Sequence, residues 1–338
     1  MNGYISFATA RRSQADRLAT AIPYLRDQIA ALRAEHGLRG RGPVFTGIGA
    51  SLAAAAGGVW HLRDRGIDSW RLAAGDNPTP LPAGESLVFG ISQSGRSTET
   101  LAALESVRPD LRAAIVNKAD SPIGHVAEVL VDFGDIPDSY ASTVGYTATA
   151  IAVSFVAEAW DDGAIDDSWS GIPDVITDLR ERVADSVARS VGFFAGASGA
   201  DFAATGPSVG SAEVGALLFR EVARVPTAAF GTRQYLHGSM ESAGDGVHVL
   251  IGSEREAGVA DSLSRAGHKV VFVTDIPAEE SDLVSVVRLP EVTTTQRPVL
   301  EAVVLQDLVE GVALQRGVDI EEFVFYHDDT KVASGESA

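Results

Sequence analysis

The sequence predicts an α/β protein of two doubly wound domains, each a parallel sheet flanked by helices. Three observations carry this. From Pro43 onward, short apolar runs of strand length alternate with longer runs of helical periodicity. The alternation comes in two series, separated by segment 161–173, which is rich in Asp, Ser and Gly and reads as an inter-domain linker. The first strand of each series ends in the same pair, Thr46-Gly47 and Thr205-Gly206, and leads through small residues into a helix, the mark of a duplicated unit.

In chain order, residues Arg11 to His36 form a helix with Leu18, Ile22, Leu25, Ile29 and Leu32 on one face, which Pro23 divides or kinks. This gives an N-terminal helical segment over 1–42. The first domain, 43–165, follows with strands at 44–46, 69–73, 87–91, 113–116 and 129–133 and helices at 52–65, 98–107 and 142–160. The second domain, 166–338, has helices at 174–194, 211–225, 257–266 and 297–316 and strands at 201–205, 247–251, 269–274 and 284–289. Residues 226–246 read as loop, and the last dozen residues as a tail with a frayed end.

Composition narrows the function. The chain has 338 residues, of which 45% are hydrophobic, enough for two ordinary cores. Its longest apolar stretch, Ala148 to Ala159, is interrupted by Ser154 and Glu158 and reads as a buried helix, not a bilayer span. With no signal-peptide pattern behind Arg11 and Arg12, cytoplasmic residence is the expectation. A net charge of -19 without a basic run argues against nucleic acid as a partner. The chain has no cysteine, so thiolate metal sites and a cysteine nucleophile are excluded. None of the seven histidines pairs at helical ligand spacing, and neither a metal nor a cofactor is expected.

The densest chemical signal is Ser92-Gln93-Ser94-Gly95-Arg96-Ser97, a strand-to-helix turn crowded with donors. Hydroxyls, an amide and the backbone NH groups of a helix start suit an anion. The alternative is that Ser94 or Ser97 only caps the helix. Gly47-Ile48-Gly49-Ala50-Ser51 is a second glycine turn; Leu52 stands where a dinucleotide fingerprint needs its third glycine, which argues against a nicotinamide cofactor. Glu221 falls on the apolar stripe of Val214, Leu217, Leu218, Val222 and Val225. It is either paired with Arg220 or Arg224, or desolvated and therefore suited to proton transfer. His237 stands alone in a loop-like stretch, as a surface group or a catalyst.

Taken together, these residues resemble the sugar isomerase (SIS) domain proteins, and in particular the isomerase half of glutamine:fructose-6-phosphate aminotransferase. The turn 92–97 resembles that family's phosphate loop, 47–51 its first glycine turn, and Tyr140-Ala141-Ser142-Thr143 the segment that closes on the sugar. Residues 215–221 resemble the helix that carries its catalytic glutamate, with His237-Gly238 at the distance of its ring-opening histidine. The resemblance implies two SIS domains, with phosphate on Ser92, Ser94 and Ser97 assisted by Gln93 and Ser51, and Tyr140 and Ser142 at the sugar. It further implies Glu221 moving a proton between C1 and C2, and His237 supplied by the partner in a homodimer.

Departures matter as well. Leu218 replaces a lysine of that helix, and Asp328 aligns with a second lysine near the C-terminus. Arg233 stands where the resemblance assigns no arginine, which fits a substrate with a second anionic group. With no glutaminase domain expected either, the reading is a phosphosugar isomerase-type enzyme acting on a hexose 6-phosphate or amino-hexose 6-phosphate. The alternatives are a deaminase or deglycase of a phosphorylated sugar-amine, or a non-catalytic sugar-phosphate sensor.

Overall fold

The computed structural model describes residues 4–242, 244–325 and 328–332. Helix α1 (Phe7–Arg12) is followed directly by α2 (Gln14–His36). Contrary to expectation the break falls at Ser13, whose hydroxyl bonds back to the carbonyls of Thr9 and Ala10, while Pro23 sits inside α2. Proline removes one NH from the helical ladder, and burial of Leu18, Ile22, Leu25 and Ile29 on the same helix outweighs that loss.

The first sheet contains β1 (Val44–Gly47), β2 (Trp70–Ala73), β3 (Val88–Ser92), β4 (Arg112–Val116) and β5 (Val129–Asp132), all parallel in the order β2-β1-β3-β4-β5. Its helices are α3 (Ala50–Asp64), α4 (Thr98–Glu105), the short α5 (Pro122–Val126) and α6 (Val144–Ala159). Helix α7 (Ile172–Phe193) leads into the second sheet of β6 (Ala200–Ala204), β7 (Thr227–Gly231), β8 (Val247–Ile251), β9 (Lys269–Thr274) and β10 (Val284–Arg288). Helices α8 (Val209–Ala223), α9 (Thr232–Leu236), α10 (Glu254–Arg265) and α11 (Arg297–Gln315) complete this half. Its order, β10-β9-β8-β6-β7, is the first sheet's order when read from the other edge, so both halves share one topology. The fold is thus α/β, with two parallel five-stranded sheets flanked by helices.

Small residues let the central helices approach closely. A Cβ on Gly58 of α3 would lie 2.5 Å from Val153 of α6, and one on Gly210 of α8 would lie 2.2 Å from the carbonyl oxygen of Ala53 on α3. Every residue of α6 is buried, including Ser154 and Glu158, as expected from its reading as a buried helix.

One expectation for a connecting segment fails. Residues 226–246, read as loop, contain edge strand β7 and helix α9. The run Thr227-Ala-Ala-Phe-Gly has little periodicity of its own and becomes a strand by pairing with β6. The segment 161–173, between the two series, is packed: Trp169 is buried and donates its indole NH to Glu158 at 3.0 Å, and Glu158 also accepts from the Asp166 NH at 2.9 Å.

Candidate functional site

The strand order of the first sheet reverses between β1 and β3, and the loops after both strands leave from that reversal point, at whose carboxyl end open α/β sheets bind ligands. The loop after β3 is fixed by its backbone: the Asn117 NH bonds the Gln93 carbonyl at 3.1 Å and the Ile123 NH the Gly95 carbonyl at 3.0 Å. Gly95 has φ +64, and a Cβ there would lie 2.1 Å from the Ser121 hydroxyl, so both conformation and space demand glycine. Ser97 occupies the N-cap position of α4 without capping it; its hydroxyl donates to Glu99 at 3.2 Å and accepts from Thr100 at 3.1 Å. The side chains of Ser92, Gln93 and Ser94 have no hydrogen-bond partner among the described residues. Nor does Ser51, in the first turn of α3, so four polar side chains stand ready for a ligand beside a helix start.

Segment 138–145 forms another wall. Buried Asp138 accepts from the Ser142 hydroxyl at 2.7 Å, the Thr143 hydroxyl at 2.8 Å and the Gly145 NH at 2.9 Å, fixing the start of α6. A Cβ on Gly145 would sit 2.9 Å from Cγ of Gln93, so this helix start touches the Ser-rich loop. Ser142 thus spends its hydroxyl on Asp138. Sequence reasoning missed Asp138, whose signal was an Asp a few residues ahead of an apolar helix. Tyr140 packs its ring on Phe323 at 4.2 Å and on Tyr4 at 5.3 Å.

Of the last dozen residues, read as a tail with a frayed end, 328–332 are described and the end itself lies outside the described residues. Residues 328–332 lie along the loop: the Val332 NH bonds the Arg96 carbonyl at 2.9 Å, Arg96 Nε returns a bond to the Val332 carbonyl at 2.7 Å, and Ser97 bridges Lys331. Lys331 Nζ lies 5.5 Å from the Tyr140 ring centre. An amine is therefore present beside the loop, three positions beyond Asp328, although alignment had suggested that none was left. Tyr326 lies outside the described residues.

Across the crevice runs α8. Gly210 meets Ala53, and Leu217 reaches within 3.5 Å of where a Gly49 Cβ would be, so α8 climbs toward the N-terminus of α3. Glu213, Leu217 and Glu221 share one face at four-residue intervals. Arg71 of β2 grips both oxygens of Glu213, and the pair lines a cavity of about 420 Å³ together with Gly49, Leu52 and Leu217. Glu221 comes one turn past Leu217, about 6 Å further along the axis. It makes no hydrogen bond or ion pair among the described residues. The paired alternative fails because Arg220 donates to the Thr227 carbonyl at 2.8 Å and Arg224 to the Glu322 carbonyl at 2.9 Å. Partial burial without a compensating partner raises the Glu221 carboxyl from 4.5 to about 7.

His237 and Arg233 are exposed on and just after α9, and their side chains bond neither Glu221 nor the Ser-rich loop. Tyr235 between them is buried, its hydroxyl 2.6 Å from His248 Nδ1 and 3.1 Å from Asp201. Among the described residues, no group of three or more acidic or histidine side chains could hold a metal, and no helix is long and apolar enough to cross a membrane.

No family model matches the chain. A glutamine–fructose-6-phosphate aminotransferase of Brucella abortus is 24% identical over 260 residues, covering 70% of this chain and 43% of that protein. Its counterpart in Corynebacterium diphtheriae is 25% identical over 268 residues, covering 72% and 43%. The chain thus spans less than half the length of these relatives. Among solved structures, the C-terminal domain of the Francisella tularensis glucosamine-fructose-6-phosphate aminotransferase superposes with TM-score 0.78 at 17% identity, over 94% of this chain and 98% of that one. The tagatose-6-phosphate ketose/aldose isomerase of Escherichia coli gives 0.76 at 15% identity, over 96% and 99%. The glucosamine-6-phosphate deaminase of Thermotoga maritima gives 0.69 at 16% identity, over 91% and 96%. The chain's homologues are thus the isomerase (SIS) portion of glutamine–fructose-6-phosphate aminotransferases, and its fold is that of SIS phosphosugar isomerases.

Proposed function

We propose that this chain is a phosphosugar enzyme that binds a hexose 6-phosphate or amino-hexose 6-phosphate in the crevice at the carboxyl ends of β1 and β3. The phosphate rests on Ser92, Ser94 and Ser97, with Gln93 and Ser51 completing its shell, and Tyr140 and Ser142 belong to the wall beside the sugar. Glu221 takes the proton from one of C1 and C2 and returns it to the other through an enediol or enolamine. His237 from a second copy opens the ring, which makes the working unit a homodimer, and Arg233 meets a second anionic group of the substrate.

One observation carries this reading: a half-buried carboxyl group without a partner among the described residues, raised to about pKa 7 by desolvation, one turn beyond the contact of Leu217 with the Gly49 turn. Such a group accepts and releases a proton at neutral pH with little driving-force penalty. Glu221→Gln should lower turnover by about 10²–10⁴-fold while leaving sugar-phosphate binding nearly intact. Turnover that survives the change removes Glu221 from the reaction.

Deamination or deglycation is the second reading: it uses the same proton shuttle, and Lys331, whose backbone pairs with Ser97 and whose amine lies 5.5 Å from the Tyr140 ring centre, puts an amine at the wall assigned to the sugar. Release of ammonia or an amino acid during turnover identifies it. A sensor is distinguished by thermal stabilisation with phosphosugars and no product on long incubation.

A further inference from the structure

Helix α9 carries Arg233 and ends at His237, yet it is only five residues long and follows β7, the edge strand of the second sheet, so its backbone gives it little support. Arg233, Gln234 and His237 are exposed, and two buried side chains hold the helix down. Thr232 donates its hydroxyl to Glu256 at 2.6 Å. Tyr235 stands two positions from both Arg233 and His237, on the face turned away from them. Its ring packs on Phe230 at 5.3 Å, and its hydroxyl reaches the sheet.

There it meets a pair set by strand register: Asp201 of β6 and His248 of β8 stand opposite each other on neighbouring parallel strands. The hydroxyl donates to Asp201 Oδ2 at 3.1 Å and lies 2.6 Å from His248 Nδ1. A phenol has one proton, so with that proton on Asp201 the shorter contact is His248 Nδ1–H donating to the phenol oxygen, and Nε2 is left bare. Nε2 is buried and bonds nothing among the described residues. Burial, with His268 edge-on at 5.3 Å, lowers the His248 ring from 6.5 to about 4, so it is neutral at neutral pH. An orphaned ring nitrogen in a core is a cost that an apolar side chain at 248 would avoid. What the histidine gives in exchange is one fixed place for the Tyr235 oxygen.

We propose that Tyr235 is a positioning residue: anchored to Asp201 and His248, it fixes the short helix from which Arg233 and His237 reach the substrate of a second copy. The proposal rests on the ring-opening role given to His237 above.

The test compares the full-length parent, Tyr235→Phe and His237→Ala on two sugars, reading aldose formation or deuterium uptake from heavy water. One is fructose 6-phosphate, whose ring must open before a C1 proton can leave; the other is 5-deoxyfructose 6-phosphate, which lacks the hydroxyl that closes the ring. The rate on the first divided by the rate on the second should fall about 10–10²-fold in both variants, because a displaced His237 fails as an absent one does. Amide exchange over residues 232–237 should quicken in Tyr235→Phe while β6 and β8 keep the parent rate. A parent-like ratio in Tyr235→Phe beside a lowered one in His237→Ala overturns the proposal and leaves the role of His237 standing. So does an equal loss on both sugars, which is what a merely destabilised fold gives. An unchanged ratio in His237→Ala, or a parent that acts on neither sugar, removes the ring-opening reading and the proposal with it. Asp201→Ala, at a half-buried position, takes away the acceptor of the phenol proton and should show the same selective loss, so it carries the test where Tyr235→Phe does not fold.

Discussion

Leu217 packs against Gly49: the side chain of α8 reaches 3.5 Å from where a β-carbon on the glycine would begin, and Gly49 itself has φ +58. This contact joins the two halves at the mouth of the crevice. A side chain at residue 49 meets both a left-handed backbone and the Leu217 methyl. Gly49→Val should therefore destabilise the fold by about 1–2 kcal/mol from backbone strain alone. It should also displace α8 from α3, so urea unfolding will show a lower midpoint and turnover will fall more than the folded fraction does.

The Glu221 carboxyl links stability to pH. Its folded value of about 7 exceeds the ordinary 4.5, so the neutral acid is favoured in the folded state. The stability this contributes is present in full below about pH 4.5, declines as pH rises from there to about 7, and is lost above that. Glu221→Gln should consequently be more stable than the parent at pH 8, by on the order of 1–3 kcal/mol, and the difference should vanish near pH 4. Activity runs the other way: if Glu221 acts as base, kcat/KM falls on the acid side with an apparent value near 7. Denaturant midpoints across pH and a pH–rate profile check the two signs separately.

Arg71 and Glu213 tie β2 to α8 and line the cavity beside Gly49. The pair is half-exposed, so its worth is modest. A double-mutant cycle of Arg71→Ala and Glu213→Ala should give a coupling of about 1 kcal/mol, reduced by added salt. A coupling near zero would mean that the cavity wall is held by Leu52 and Leu217 packing alone.

Asp138 holds two hydroxyls and three backbone NH groups at the start of α6, and that start abuts Gln93. Asp138→Ala leaves those donors without an acceptor in a buried place and should destabilise by about 2 kcal/mol or more. Because Gln93 leans on the same backbone, KM for phosphosugar should rise more than kcat falls. Steady-state kinetics on the folded fraction will show whether it does.

Much of this was legible in the sequence, and the reasons differ by residue. The inner strands came from apolar runs whose burial on two faces leaves no alternation to confuse, and α6 from fourteen residues without a charge before Glu158. Edge strand β7 escaped because Thr227-Ala-Ala-Phe-Gly is defined by its pairing with β6, not by its own pattern. The Ser-rich loop was visible because its donors are contiguous. Asp138 was not, because its meaning lies in hydrogen bonds to residues four to seven positions on. Whether Glu221 was paired depended on where Arg220 and Arg224 point, which spacing alone leaves open. Lys331 was hidden by an alignment that placed Asp328 at the lysine position, and the bridge to Ser97 reveals its place.

His237 lies exposed and unbonded to Glu221 within one chain, which leaves it free to serve the crevice of a second copy. Mixing subunits tests that arrangement directly. Glu221→Gln and His237→Ala homodimers should each be nearly inactive. After dissociation and random reassociation, half of the dimers are mixed, and in a shared site each mixed dimer holds one crevice with both natural residues and one with neither. Activity should then return to about a quarter of the parent level. If both residues act within one chain, every crevice in the mixture keeps one lesion and no activity returns.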